Sequence, residues 1–179
     1  MIVAFDNTFL SLAFHPGAKP RPNPATGVPV SHCGARIEAL IDNLSERGDT
    51  VLIPAPCLAE LLCVVPDINK VMSNISASTA FQVEPFDGKA AIALANVTAM
   101  ALKAGDKKAG VAAAWQQVKF DRQIAMIAKV GRARTLFTDD TAQSQFAAEI
   151  GLNVKHTWDL DLPASHAQFV MDMKPPQGR

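Results

Sequence analysis

The chain lacks a net charge: its 17 basic and 17 acidic residues cancel, which excludes a protein that coats nucleic acid by bulk charge. It still allows a nuclease, which needs only a local basic rim around an acidic centre. Cysteine is scarce and unpaired. Cys33, Cys57 and Cys63 form no Cys-x-x-Cys motif, so neither a disulfide framework nor a zinc site is expected. No apolar run approaches the roughly 18 residues of a membrane span, and Asp6 interrupts the N-terminal apolar stretch. A soluble, cytoplasmic protein with no membrane role is expected. Internal repeats, a phosphate-binding glycine loop and a Gly-x-Ser-x-Gly elbow are missing, and His15, His32, His156 and His166 fall in loops or the tail without metal-ligand spacing.

What is present is an alternation of short β-type runs with amphipathic helices. Ile2-Val3-Ala4-Phe5 opens the chain as a buried strand, followed by Thr50–Ile53, Ala80–Val83, Thr135–Thr138 and Leu152–Val154. Between them, Ile37, Leu40, Ile41 and Leu44 form a helical stripe that Gly48 ends. Pro56 can begin a helix carrying Glu60 in about its first turn, and Phe120, Ile124, Ile127, Ala128 and Gly131 mark a further helix. Strands alternating with helices predict an α/β fold: one domain, a mainly parallel five-stranded sheet, and helices on both faces. The domain is placed at residues 1–162, with a proline-rich insertion over 15–33, and residues 163–179 form a tail expected to fray. The insertion reads either as a plain surface excursion or as a substrate-facing one offering Lys19 and Arg21 to phosphates.

Acids stand where such a sheet places chemistry. Asp6 follows the first strand, Asp139 and Asp140 follow the fourth, Glu60 follows the second by about one helical turn, and Asp121 lies at the rim of its helix's apolar row. In open parallel sheets the functional crevice lies at the carboxyl ends of the strands, so these side chains can converge. Each also has a bland reading: Asp6 as a helix cap, Glu60 as an acid favoured by a helix dipole. Two carboxylates about 4 Å apart repel by roughly 4 kcal/mol at an effective dielectric of 20. A four-acid cluster therefore calls for cations or protonation, and an oxygen-only set favours Mg²⁺ or Mn²⁺.

The segments IVAFDNTFL, VLIPAPCLAELL, KFDRQIAMIA and LFTDDTAQSQFAAEIGLNV, in that order, resemble the PIN-domain family of VapC-like ribonucleases. The resemblance implies a central first strand and an acidic pocket holding one or two Mg²⁺ or Mn²⁺ ions. It carries the family's four catalytic, metal-binding acids onto Asp6, Glu60, Asp121 and, by the Thr-x-Asp spacing, Asp140, with Asp139 as a further metal ligand or a replacement for the last. Asn7 and Thr138 match small polar residues that support the acids. The implied activity is an endoribonuclease that hydrolyses RNA phosphodiester bonds with water activated by the ion. Arg36, Lys119 and Arg122 are expected phosphate contacts. The implied partners are the RNA substrate, an antitoxin protein if the chain is a toxin of a type II toxin-antitoxin pair, and a second copy in a homodimer. The sequence departs from the family in its long proline-rich loop and in the delayed aromatic, Phe146. The alternative is a non-catalytic PIN-like module that binds RNA or protein. A phosphotransfer receiver or a haloacid-dehalogenase-like phosphatase is disfavoured, because Asp6-Asn7-Thr8 supplies neither paired acids nor Asp-x-Asp.

Overall fold

A computed structural model describes residues 1–108 and 110–166. Five strands, β1 (Ile2–Phe5), β2 (Thr50–Pro54), β3 (Phe81–Glu84), β4 (Thr135–Phe137) and β5 (Asn153–Lys155), form one sheet in the order β3-β2-β1-β4-β5. All four pairings are parallel. Strand β1 is central, and the chain leaves it toward β2 on one side and returns to β4 on the other. That reversal opens a crevice at the carboxyl ends of β1 and β4.

Among the described residues, seven helices cover the sheet: α1 (Asn7–Phe14), α2 (Cys33–Glu46), α3 (Ala55–Val64), α4 (Ile68–Ala77), α5 (Gly88–Lys103), α6 (Trp115–Val130) and α7 (Thr141–Glu149), followed by a 3-10 turn at Thr157–Asp159. The strands read as continuous apolar runs because each face has its own core. Val3, Phe5, Val51, Ile53 and Phe137 pack with α1 to α4, whereas Ala4, Leu52 and Leu136 pack with α5 to α7. Alternate side chains along a strand point to opposite faces, so this division is the period-two pattern of a sheet buried on both sides. Among the described residues, no helix is long and apolar enough to cross a membrane.

Two packing features fix where the strand ends lie. Phe5, Phe9 and Phe137 form a closed aromatic triangle with centroids 5.3 to 5.6 Å apart, locking the ends of β1 and β4 to α1. The backbone N–H of Asp6 also donates to the carbonyl of Phe137 at 3.1 Å. The proline-rich insertion is not featureless: Pro22 and Pro29 pair in an isolated antiparallel bridge, and the Asn23 N–H donates to the carbonyl of Val28 at 3.0 Å.

Some boundaries differ from expectation. Helix α2 starts at Cys33, a turn before the expected stripe opens at Ile37, after His32 in a left-handed conformation (φ 53°). Helix α6 starts at Trp115, ahead of the expected apolar row that opens at Phe120, and its first turn adds Trp115 and the buried Val118 to the helix. Helix α3 starts at Ala55, so Glu60 lies in the second turn, away from the first-turn donors that favour an acid. The expected fraying of the tail falls largely on residues 167–179, outside the described residues.

Candidate functional site

Asp6, Glu60, Asp121 and Asp140 line one open cleft of about 500 Å³, together with Asn7 and Arg21. Each acid reaches it from a different element. Asp6 ends β1 and caps α1, accepting from the Phe9 N–H at 2.9 Å. Asp140 follows β4 and caps α7, with Oδ1 accepting from the Gln143 N–H at 2.9 Å. Glu60 projects from α3 and Asp121 from the seventh position of α6. For Asp6 and Asp140 capping and cleft-lining are therefore compatible: one carboxylate oxygen serves the helix while the group as a whole borders the cleft.

The electrostatics are those of acids with too little solvation. Burial pushes the Asp6 carboxyl up to about 7, against the pull of hydrogen bonding with Thr138 and with the Phe9 N–H. Asp121 is pushed up to about 6, first by desolvation and then by the negative charges of Asp140 and Glu60. Partial burial raises Glu60 as well. Asp121 Oδ2 is buried and has no hydrogen-bond partner, a condition that costs free energy unless a proton or a cation fills it.

Thr138 is fully buried and joins the end of β4 to the start of α7. Its hydroxyl donates to Gln143 Oε1 at 2.9 Å and accepts from the Asp140 N–H at 3.0 Å. Asn7 Oδ1 accepts from Ser11 Oγ at 3.3 Å, which orients the amide along the cleft wall.

Four expected site residues lie elsewhere or act otherwise. Asp139 turns inward: Oδ1 accepts from the Thr157 N–H and Oδ2 from Thr157 Oγ1, both at 2.8 Å, and only 4% of the residue is exposed. Its expected role as a metal ligand is corrected to a buried clamp between the end of β4 and the 3-10 turn. Arg122 is buried beneath Trp115 and Phe146 and donates to the Lys107 carbonyl at 2.8 Å, so it ties a loop to α6 instead of meeting phosphate. Arg36 donates to the carbonyls of Ser31 and Leu160 and borders a different cavity. Lys119 is half-buried and does not line the acidic cleft. Spacing along a helix could not separate these cations from cleft residues, because the partners that capture them are distant carbonyls and rings.

No family model matches the sequence, and no curated protein matches it. Among solved structures it is similar to the crystal structure of VapBC2 from Rickettsia felis bound to a DNA fragment from their promoter, with a TM-score of 0.53 at 15% identity. The match covers 87% of this chain and 98% of that one, and VapC is a PIN-domain toxin. This chain has a PIN-like fold. At such low identity the likeness extends to the backbone only, and the chemistry has to be read from the cleft.

In the PIN-like frame, the donor set suits a hard divalent cation in kind. It offers carboxylate oxygens from four elements, one of them buried without a partner. Its spacing is that of an open cleft: among the described residues no three acidic, histidine or cysteine side chains already stand as a ligand group.

The cleft also contains groups that sequence reading did not assign to it. Gln143 follows the Asp140 cap by three residues, a position that a capping pattern singles out. Gln116 and Gln117 reach the cleft from the first turn of α6, where no sequence signal marked them. Arg21, one of the two cations offered by the proline-rich loop, pairs with Asp140 across 119 residues, Nη1 to Oδ2 at 2.9 Å.

Proposed function

We propose that this PIN-like chain is a divalent-metal-dependent endoribonuclease, with Asp6, Glu60, Asp121 and Asp140 holding Mg²⁺ or Mn²⁺. The observation that carries the reading is the convergence of these four acids on one cleft, with a buried oxygen of Asp121 left unpartnered. Structural carboxylates are ordinarily paired or hydrogen-bonded, as Asp139 is. Raised protonation of Asp6 and Asp121 marks a place where negative charge is incompletely compensated, the usual signature of a functional site.

A divalent ion bound there would supply an activated water and neutralise charge developing on the scissile phosphate. The chain's own contributions are positional. Asp6 and Asp140 are held by helix caps, so their carboxylates are oriented before any ligand arrives. Thr138 and Gln143 brace Asp140 from behind. Glu60 and Asp121 bring charge from helices on the other walls. No side chain is needed as a covalent nucleophile.

The test is cleavage of defined single-stranded RNAs with Mg²⁺, Mn²⁺ or chelator, run beside Asp6→Asn and Asp121→Asn. Metal-dependent cleavage that both variants lose is expected; cleavage that survives in chelator, or in a well-folded Asp121→Asn protein, sinks the reading. A toxin role paired with an antitoxin protein, and assembly as a homodimer, extend the proposal. Growth arrest on expression, relieved by the product of an adjacent reading frame, tests the first, and sedimentation tests the second.

A non-catalytic PIN-like binding module is the second reading. It is favoured by the open spacing of the acids and by the Arg21–Asp140 pair, which already neutralises part of their charge. RNA binding that is indifferent to Mn²⁺ distinguishes it.

A further inference from the structure

The proline-rich insertion delivers one cation into an acidic cleft, on a loop whose backbone is constrained. Arg21 sits between Pro20 and Pro22, whose rings restrict the backbone on both sides. The loop is closed just beyond it by the Pro22–Pro29 bridge, the Asn23–Val28 hydrogen bond and a turn through Gly27 at φ 69°. Among the described residues, Arg21 is the one basic side chain that lines the cleft. Its guanidinium meets Oδ2 of Asp140, and Oδ1 of the same carboxylate is taken by the α7 cap. Both oxygens of Asp140 are therefore engaged, and the one facing a ligand is engaged by Arg21.

We propose that Arg21 is a substrate-positioning residue that holds Asp140 in place of a cation in the free protein and passes to the phosphodiester when a divalent ion takes Asp140. This rests on the metal-dependent ribonuclease reading. The side chain is 54% exposed while Asp140 is 20% exposed, so the pair is of the exposed, weakly held kind that exchanges readily. A guanidinium has five donors in a planar fork that fits the non-bridging oxygens of a phosphate. A polyanion entering a cleft walled by four acids needs a positive group at the entrance, and Arg21 is already there. In the exchange the ion replaces the guanidinium on the carboxylate, and the phosphate replaces the carboxylate on the guanidinium, so neither charged side chain is left without a partner.

The experiment has two readouts on the full chain stripped by chelator. Calorimetric titration with Mn²⁺ alone is expected to show Arg21→Gln binding about 5-fold tighter than the unaltered chain, since a competing exposed ion pair is gone. Arg21→Lys, which keeps the charge, stays close to the unaltered value. The gain disappears in the Asp140→Asn background. With Mn²⁺ saturating, Arg21→Gln raises KM for single-stranded RNA about 10-fold with a smaller change in kcat, and Arg21→Lys restores part of it. Mn²⁺ affinity that is unchanged or weaker in Arg21→Gln, or an unchanged KM, overturns the proposal while leaving the nuclease reading intact if Asp121→Asn still abolishes Mn²⁺ binding. No Mn²⁺ binding by any of these proteins overturns both.

Discussion

Asp139 and Asp140 are adjacent and chemically identical, yet they belong to different machines. Asp139 points into the protein and has both oxygens engaged by Thr157; Asp140 borders the cleft and divides its oxygens between a helix cap and an exposed arginine. Successive side chains leaving a strand face opposite ways, so one step along the chain exchanges an interior environment for a ligand-facing one. The contrast extends to the surrounding groups. Around Asp139 the donors match the acceptors, while around the cleft four carboxylates share one cation and Asp121 retains a buried oxygen with nothing to accept. That unmet acceptor distinguishes the cleft from the clamp.

The sharpest way to break the comparison is at Asp121 in the cleft. Asp121→Asn is expected to lower metal-dependent RNA cleavage about 10²- to 10³-fold, on the scale of losing one preorganised electrostatic group, with no loss of thermal stability. A variant that unfolds instead would make Asp121 a structural acid like Asp139. Asp139→Ala should do the reverse. It leaves the Thr157 N–H and hydroxyl unpaired in the interior, a cost of about 3 kcal/mol, which lowers Tm by roughly 6–12 °C for a chain of this size. Cleavage per folded molecule, measured well below that Tm, should change little.

A third outcome concerns pH. The carboxyls of Asp6 and Asp121 are raised from 3.8 to about 7 and about 6 in the folded chain. Between about pH 4 and 7 the folded chain therefore holds protons that the unfolded chain has released, and acidifying through this window stabilises the metal-free protein. Stability is lost as pH rises through the folded-state values. Thermal melts in chelator should show Asp121→Asn more stable than the unaltered chain at mildly alkaline pH, with the gain shrinking as pH falls below about 6 and vanishing below about 4. A gain that is independent of pH contradicts the assignment. The smallest effect separates the two duties of Asp140. Asn caps a helix as well as Asp does, so Asp140→Asn should keep α7 intact, whereas Asp140→Ala should cost about 1 kcal/mol in denaturant unfolding. Both should lose the Arg21 pair.

That Asp6, Glu60, Asp121 and Asp140 could border one cleft was legible because each follows a strand or rides a helix whose apolar period is plain, and a parallel sheet sends strand ends to one edge; the choice of Asp140 over Asp139 came from the family resemblance. Arg122 and Arg36 show where such reading stops. Their charge suggested phosphate, but Trp115, Phe146 and the carbonyls of Lys107, Ser31 and Leu160 hold them instead. Arg21 shows the converse: it lay in a loop that read more readily as a surface excursion, and it reaches the acids from 119 residues away.

The order of strands and helices and the burial of both sheet faces were legible because they depend on local periodicity, on proline and glycine at element ends, and on a hydrophobic pattern that every few residues repeat. Which of two adjacent aspartates faces the cleft, which arginines are captured inside, and which one enters the acidic pocket depend on contacts between segments far apart in the chain. Those contacts are set by strand register, by the aromatic triangle under β1 and β4, and by the course of a proline-pinned loop. No local pattern encodes them, because the energy that selects each partner arises only once the distant segments meet.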